Sequence, residues 1–401
     1  MRSSRGFTLV EMMVAVAIGL IVLAGLATVF IAQRQVYSTA SSQGAIQNAD
    51  NALSAILSPA IRGAGFTGCG TLATSRSEVV FTTAATPWVF SPGDFAAPVF
   101  GYDAAGTGVS GGSAGSYTYT ALNVANSTAS TDWNPSLDAS FSGLAEKGSD
   151  ILILNGEVPG THPMGVPVVS QATAPNTFTV YNPASSASAQ STIQFTDINN
   201  QSIDVEVSAV AISDCAKSSV FLPVMTTTSS GAARIGNPVT VSGSGNKSTQ
   251  VNPVYQAGTQ FVPLQQVAYF VGHGDGGQSA LYQATLVNGA WNAQQMVPGV
   301  DNMQVLYGFG LGGNTQQYLS ADQVQALQAS PPAGVVSLPF NPWTAINSIR
   351  VGFLIEGGQG SAAVGSNPTV WNVLGTQVTV PADTRLRHVY VMTVNLRNVT
   401  L

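Results

Sequence analysis

Arg5-Gly6-Phe7-Thr8-Leu9-Val10-Glu11 is the stretch from which the fold is read, and an apolar run from Met12 to Ala32 follows it. Arg2 and Arg5 stand before a glycine and a phenylalanine, and Glu11 heads a run that is otherwise uncharged. At about 1.5 Å of rise per residue, such a helix is roughly 30 Å long and can cross a bilayer core. Gly19 and Gly25 inside it suit a packed membrane helix. A carboxylate in such a helix costs about 2.5–3.5 kcal/mol or more at the membrane centre. Glu11 therefore needs a partner, or a place at the helix start, where the dipole favours negative charge. A secretory signal peptide has an apolar core of about 7–15 residues and a small-residue cleavage site. The core here is longer, and Phe30-Ile31-Ala32 is a poor site. An uncleaved signal anchor is the better rival. Either way, the arginines hold the N-terminus in the cytoplasm and put the chain after Ala32 beyond the membrane.

Past Ala32 the sequence stays helical but changes character. Val36, Ala40, Ile46, Ala49, Leu53, Ile56, Leu57, Ala60 and Ile61 recur at three- and four-residue steps, an amphipathic stripe. One helix is expected from about Thr8 to Ser58, with Gly44 a weak point and Pro59 kinking or ending it. Its second half should lie on a globular domain. The remainder reads as strands and turns. Val79-Val80-Phe81, Tyr117-Thr118-Tyr119, Ile151 to Leu154, an alternating run from Ile203 to Ala211, Gln266 to Gly272, Ser279 to Ala284 and Ile349 to Glu356 are strand candidates. The 266–272 and 279–284 runs should form a hairpin. Ser320 to Leu327 reads as a short helix, and the chain closes on a strand within Arg385 to Leu401. There, Leu386, Tyr390, Met392, Val394 and Leu396 share one face, opposite Arg387, Thr393, Asn395 and Arg397.

Composition narrows the function. Of 401 residues only 8% are charged, and Lys147, Lys217 and Lys247 are the only lysines. This suits an exported protein of strands and turns. A formal charge of −6 argues against a broad basic face for nucleic acid. His162, His273 and His388 have no paired spacing that would suit a metal. Gly111-Gly112-Ser113-Ala114-Gly115 matches a nucleophile elbow by letter. A Gly/Ser loop precedes it and a strand follows, whereas an elbow needs a strand before and a helix after. The turn Gly272 to Gly277 carries a single carboxylate, Asp275, too few for a calcium loop of the EF type. No catalytic constellation, metal site or cofactor site is expected. The even cysteine count, Cys69 and Cys215, favours a disulfide in an exported chain; two free thiols are the alternative.

The stretch Gly6 to Glu11 with its apolar helix resembles the N-terminus of type IV prepilins. The resemblance implies that a prepilin peptidase cuts between Gly6 and Phe7 and methylates the new amine of Phe7. It also implies that Glu11 pairs with the N-terminal amine of a neighbouring subunit. Further segments are similar to minor pilins of the PilW family. They are Ile61-Arg62-Gly63-Ala64-Gly65-Phe66-Thr67-Gly68-Cys69, the Ser-Asp strand at Ser149-Asp150, Asp214-Cys215 after a strand, the Gly299-Val300 to Tyr307-Gly308 segment, and the terminal Leu396-Arg397-Asn398.

The expected fold class is α+β and type IV pilin-like: a long N-terminal helix, its first half transmembrane, packed on a large β-rich head with an antiparallel sheet. The expected divisions are a leader at 1–6, a transmembrane half-helix at 7–32, an amphipathic half at 33–62, and a periplasmic head at 63–401 with a soft boundary near 226–249. The resemblance implies a minor pilin in an inner-membrane priming complex of a Gram-negative bacterium, later at the pilus tip, supporting twitching motility, adhesion or DNA uptake. Implied partners are the other minor pilins, the major pilin, the prepilin peptidase, the assembly platform and a PilY-type tip adhesin. A type II secretion pseudopilin, a signal-anchored adhesin and an envelope hydrolase are the alternatives.

Overall fold

The computed structural model describes residues 8–68, 77–79, 90, 92–110, 113–118, 125–159, 161–162, 164–165, 168–170, 177–179, 193–197, 202–205, 209–214, 218–221, 224–225, 238–240, 255, 259–274, 277–287, 290–311, 314–335, 340–358 and 367–397. A helix of 55 residues, Leu9–Gly63, leads into a head of mainly antiparallel sheets. Its apolar first half stands free: every large apolar side chain from Leu9 to Tyr37 is exposed. It is long and apolar enough to cross a membrane. The second half buries Ser42, Ile46, Ala49, Leu53, Leu57 and Ile61, spaced at three and four residues, in the core of the head.

Two expectations about this helix need correcting. The stripe does not begin at Val36 and Ala40, which are exposed; contact begins at Ser42. There the hydroxyl donates to the Gly358 carbonyl at 3.0 Å, and Gly357 lies so close that a Cβ on it would come 2.8 Å from Ser42 Cβ. Nor does Pro59 end the helix, which runs on to Gly63. Pro59 and Ala55, whose carbonyl it deprives of a donor, both face outward, so water can take the place of the lost bond. The buried Leu57 and Ile61 on the opposite face keep the last turn in place. Gly357→Ala is expected to push the helix from the head at its first contact. The cost should be about 1–3 kcal/mol, read from urea unfolding of the full chain in detergent.

The head is built on two main sheets. The larger has ten strands, and Gln260–His273 is its centre. This strand pairs with Ala209–Ser213, Ile151–Glu157 and Ser279–Val287, and Ala290–Pro298 continues the last of these as an outer strand. The expected hairpin forms, with Phe270 opposite Tyr282. The second sheet runs Gln317–Leu319, Val300–Phe309, Ile346–Glu356, Arg387–Asn395. The chain crosses between sheets at Gly299, whose φ of 76° only glycine adopts readily. Its N–H donates to Ser279 of the first sheet at 3.0 Å, and its carbonyl accepts from Glu356 of the second at 2.8 Å. Smaller sheets flank these two.

The alternating run from Ile203 to Ala211 serves two sheets, and its residues 206–208 lie outside the described ones. Ser202–Val205 pairs with Ile193–Asp197 in a small sheet, while Ala209–Ser213 is buried throughout between two neighbours of the large sheet. The loop expected around Gly106 to Gly115 includes a short ribbon, Val109–Ser110 against Ser113–Ala114. Ser116–Thr118 follows it and pairs in parallel with Gln377–Thr379, so a strand, not a helix, leaves the elbow-like sequence. The short helix forms at Ala321–Ala326, capped by Ser320.

One segment joins the two sheets. Asp150 accepts from Ala104 N–H of the first sheet at 2.9 Å and from Val305 N–H of the second at 2.7 Å, one oxygen for each. Its own N–H donates to Met303 at 2.9 Å. Ser149 Oγ accepts from the Asn302 amide and from Met303 N–H, and the Gly148 carbonyl accepts from both Asn302 and Gln304. Burial pushes the Asp150 carboxyl up, against the two N–H groups that hold it down. Its neighbour Asp103 is raised by burial first, then by the charges of Asp150 and Asp322.

Other buried acids give the head a pH dependence. Burial pushes Asp94 up to about 6 and Glu146 up to about 7, although Ser279 donates to Glu146 at 2.8 Å. A carboxyl raised on folding stabilises fully below its unfolded value of about 4, and that contribution is lost as pH rises through the folded value. Melting temperature is therefore expected to fall as pH rises from about 4 to about 7. Glu146→Gln should remove part of that slope, which thermal scans across the range would read.

Candidate assembly interface

Thr8 is the N-cap of the long helix, and Glu11 is its third residue. Glu11 Oε2 accepts from Thr8 N–H and from Thr8 Oγ1, both at 3.0 Å, while Thr8 Oγ1 accepts from Glu11 N–H at 3.3 Å. This is a capping box, worth about 1 kcal/mol. It fixes the carboxylate at the positive end of the helix dipole. The other oxygen, Oε1, has no partner among the described residues. The geometry thus contains the capping that a helix start alone would ask for, and it also leaves one acceptor open at the tip of an exposed apolar rod.

Gly6 and Phe7, the expected cleavage residues, lie outside the described residues, as do Cys69, Cys215 and Asp275. The described flanks of the two cysteines do meet. A Cβ on Gly68 would come 3.2 Å from Ser213 Cβ, and Thr67 Oγ1 lies 3.3 Å from Ser218 Oγ. Among the described residues, no three His, Cys, Asp or Glu side chains group as a metal site.

Further down, the helix lies along the last strand. Asp50 comes within 3.9 Å of His388 Nε2. The Asp50 carboxyl is raised by its partial burial, and His388 offsets part of this. Where the helix ends, Ala64 bridges to Gly156, and Gly65 N–H donates to the Asn155 carbonyl at 2.7 Å. Beside that junction is an open groove of about 780 Å³ floored by Leu154, Val267, Tyr269 and Met296. Glu157 lines it, and burial alone lifts this carboxyl to about 7.

A buried ionic cluster was not foreseen in the sequence. Arg387 Nε donates to Asp301 at 2.6 Å, and its two terminal nitrogens hold Asp383 at 2.6 and 2.8 Å. Arg385 pairs with Glu356 beside it. Burial, and then the Glu356 charge, push Asp301 up against the pull of Arg387. Burial also opposes ionisation of Asp383, but the bonds and charge of Arg387 keep it low. The cluster ties the turn at Gly299 to the start of the last strand.

Comparison with known proteins bears on both ends of the chain. Residues 268–398 match the family model of the Type IV Pilus-assembly protein W. Residues 1–27 match that of the Prokaryotic N-terminal methylation motif. No curated protein and no solved structure matches. The two matches make residues 268–398 similar to a type IV pilus-assembly family and residues 1–27 similar to the methylation motif, which fits a type IV pilus-related chain.

Proposed function

We propose that this chain is a minor pilin of the priming complex that initiates a type IV pilus and then sits at the filament tip. The observation that carries the reading is the division of one continuous helix. Its first half is exposed and apolar with an acceptor open at Glu11, and its second half is fixed to the head by buried side chains. In this reading the first half holds the monomer in the inner membrane, N-terminus inward and head in the periplasm. Cleavage after Gly6 frees the Phe7 amine, which is methylated. Assembly then exchanges lipid for neighbouring pilin helices, and Glu11 receives a neighbour's amine. The same chain would offer surfaces to the major pilin, the other minor pilins and a tip adhesin, and would catalyse nothing. A Cys69–Cys215 bond is part of the proposal, supported by the contact between the residues that flank the two thiols.

Intact mass and N-terminal sequencing of the protein from membranes of cells with active prepilin peptidase would test this. A chain that starts at N-methylated Phe7 and gains two hydrogens on reduction is expected. A chain that keeps Met1 would sink the pilin reading. Loss of pili with secretion intact, on deletion, would separate a pilus role from one in type II secretion.

A further inference from the structure

Arg34 is the only charged residue between Glu11 and Asp50. Its helix neighbours three and four residues away offer it no carboxylate, and among the described residues no ion pair reaches it. Its guanidinium lies over the Phe30 ring, 5.6 Å from the centroid. Phe30, Arg34 and Tyr37 follow one another at four and three residues and so share one helix face. With Gln33 and Ser38 they line a hollow of about 380 Å³ on that face. Phe30 is 59% exposed and Tyr37 78%, so both are open to whatever surrounds the free half of the helix. At 3.6 residues per turn this face is roughly a third of a turn from the docked stripe, and no described residue of the head lines the hollow.

The length of the span sets the depth of this face. Met12 to Ala32 makes about 31 Å of helix, which matches the roughly 30 Å of a bilayer's hydrocarbon core. Measured from Ala32, Arg34 stands about 3 Å and Tyr37 about 8 Å farther along the axis. The headgroup layer on each side is about 5–8 Å deep. Both polar tips therefore fall within that layer, while Phe30 stays in the hydrocarbon. Ser42, where the head first touches the helix, is about 15 Å out and clears the layer. Along the face, a ring, a guanidinium and a phenol succeed one another in the order in which a phospholipid presents acyl chain, phosphate and headgroup. Arginine and tyrosine are the residues that such an interface favours.

We propose that Phe30, Arg34 and Tyr37 form a phospholipid site on the head's side of the bilayer. Arg34 binds the phosphate, the Tyr37 hydroxyl donates to the same headgroup, and an acyl chain lies along Phe30. A planar guanidinium without a carboxylate of its own calls for an oxyanion that accepts two parallel bonds. At this depth the bilayer supplies that oxyanion as lipid phosphate. The site fixes how far the helix sinks and so holds the head clear of the surface. A monomer that leaves the bilayer must give it up. The proposal deepens the membrane-anchored reading and rests on the helix spanning a bilayer, but not on cleavage at Gly6.

The test uses the full chain in vesicles of phosphatidylglycerol and phosphatidylethanolamine. Arg2→Gln and Arg5→Gln are carried throughout, so that no cation at the other end of the span contributes. Flotation reads the span, and native mass spectrometry of the floated chain in detergent reads the lipid retained on it. Retained phosphatidylglycerol is expected, and Arg34→Gln should lower it about tenfold. Arg34→Lys should fall between, because lysine keeps the charge and loses the fork. Tyr37→Phe should lower retention by less than Arg34→Gln. Urea midpoints should stay unchanged in all three, since these side chains stand free of the head. Inorganic phosphate in excess should not displace the lipid; displacement would assign the hollow to free phosphate and overturn the proposal. A chain that does not float would overturn the span and the site together. A floating chain that retains no lipid, or retains as much with Arg34→Gln as without it, would overturn the site alone and leave Arg34 to an acidic side chain of a neighbouring helix.

Discussion

Replacing Asp150 by alanine is expected to destabilise the head by about 3–5 kcal/mol. The carboxylate accepts one backbone N–H from each main sheet, Ala104 and Val305, and is itself 3% exposed. Alanine removes both acceptors and leaves two buried donors without partners, each costing about 1–3 kcal/mol. It also releases a side chain that bonds to both sheets at once, so the loss should appear as a loss of cooperativity as well as a lower midpoint. Asp150→Asn should fall between wild type and Asp150→Ala, because its amide keeps one acceptor and turns an N–H toward a backbone donor. Asp103→Asn is the contrasting control. That carboxyl is raised by burial and by two neighbouring acids, so neutralising it should be harmless or stabilising. Urea unfolding of the full chain in detergent reads all three. An Asp150→Ala midpoint equal to that of wild type would show that packing and the remaining bonds at Gly148, Ser149 and Gly299 hold the sheets without this carboxylate.

How much of this was legible in the sequence depends on the range of the interaction. The long helix and the part of its stripe from Ile46 to Ile61 follow from local spacing, and they appear where that spacing puts them. The hairpin around His273, the short helix at Ser320 and the last strand are likewise local. The two errors in the helix arose where local rules meet a surface. Pro59 is tolerated because it faces water, and Val36 is exposed because the head begins only at Gly357. The run from Ile203 to Ala211 has a strand's alternation on both sides of residues 206–208, and nothing in its period says that two sheets share it. The joint at Gly148 to Asp150 was visible only as a strand start. Its partners, Ala104 and Met303 to Val305, are distant in sequence and identifiable only once the sheets are placed. The ionic cluster has the same origin, drawing Asp301, Glu356 and Arg387 from three strands.

Glu11→Gln is expected to block assembly while leaving the fold, the membrane span and the helix cap untouched. The substitution separates two roles that the wild-type carboxylate combines. A capping box accepts glutamate or glutamine at its third position, so the substituted amide can still reach back to Thr8 N–H and the helix start should lose little. What glutamine removes is the negative charge that would meet a neighbour's N-terminal amine, together with the selective advantage of Oε1 as its acceptor. In lipid or among packed helices, such a pair is weakly screened, so an unpaired amine at Phe7 costs several kcal/mol. Incorporation into filaments should therefore fall by about two orders of magnitude or more, at unchanged membrane levels and unchanged cleavage after Gly6. Glu11→Leu gives the complementary result: it loses cap and charge together, raises the apolarity of the span, and should be no worse than Glu11→Gln if charge is what matters. Immunoblots of sheared filaments against membrane fractions would read both variants. Filaments that take up Glu11→Gln at the wild-type level would assign Glu11 to the helix cap alone and leave the exposed apolar face of Leu9 to Tyr37 as the contact that this half of the helix makes.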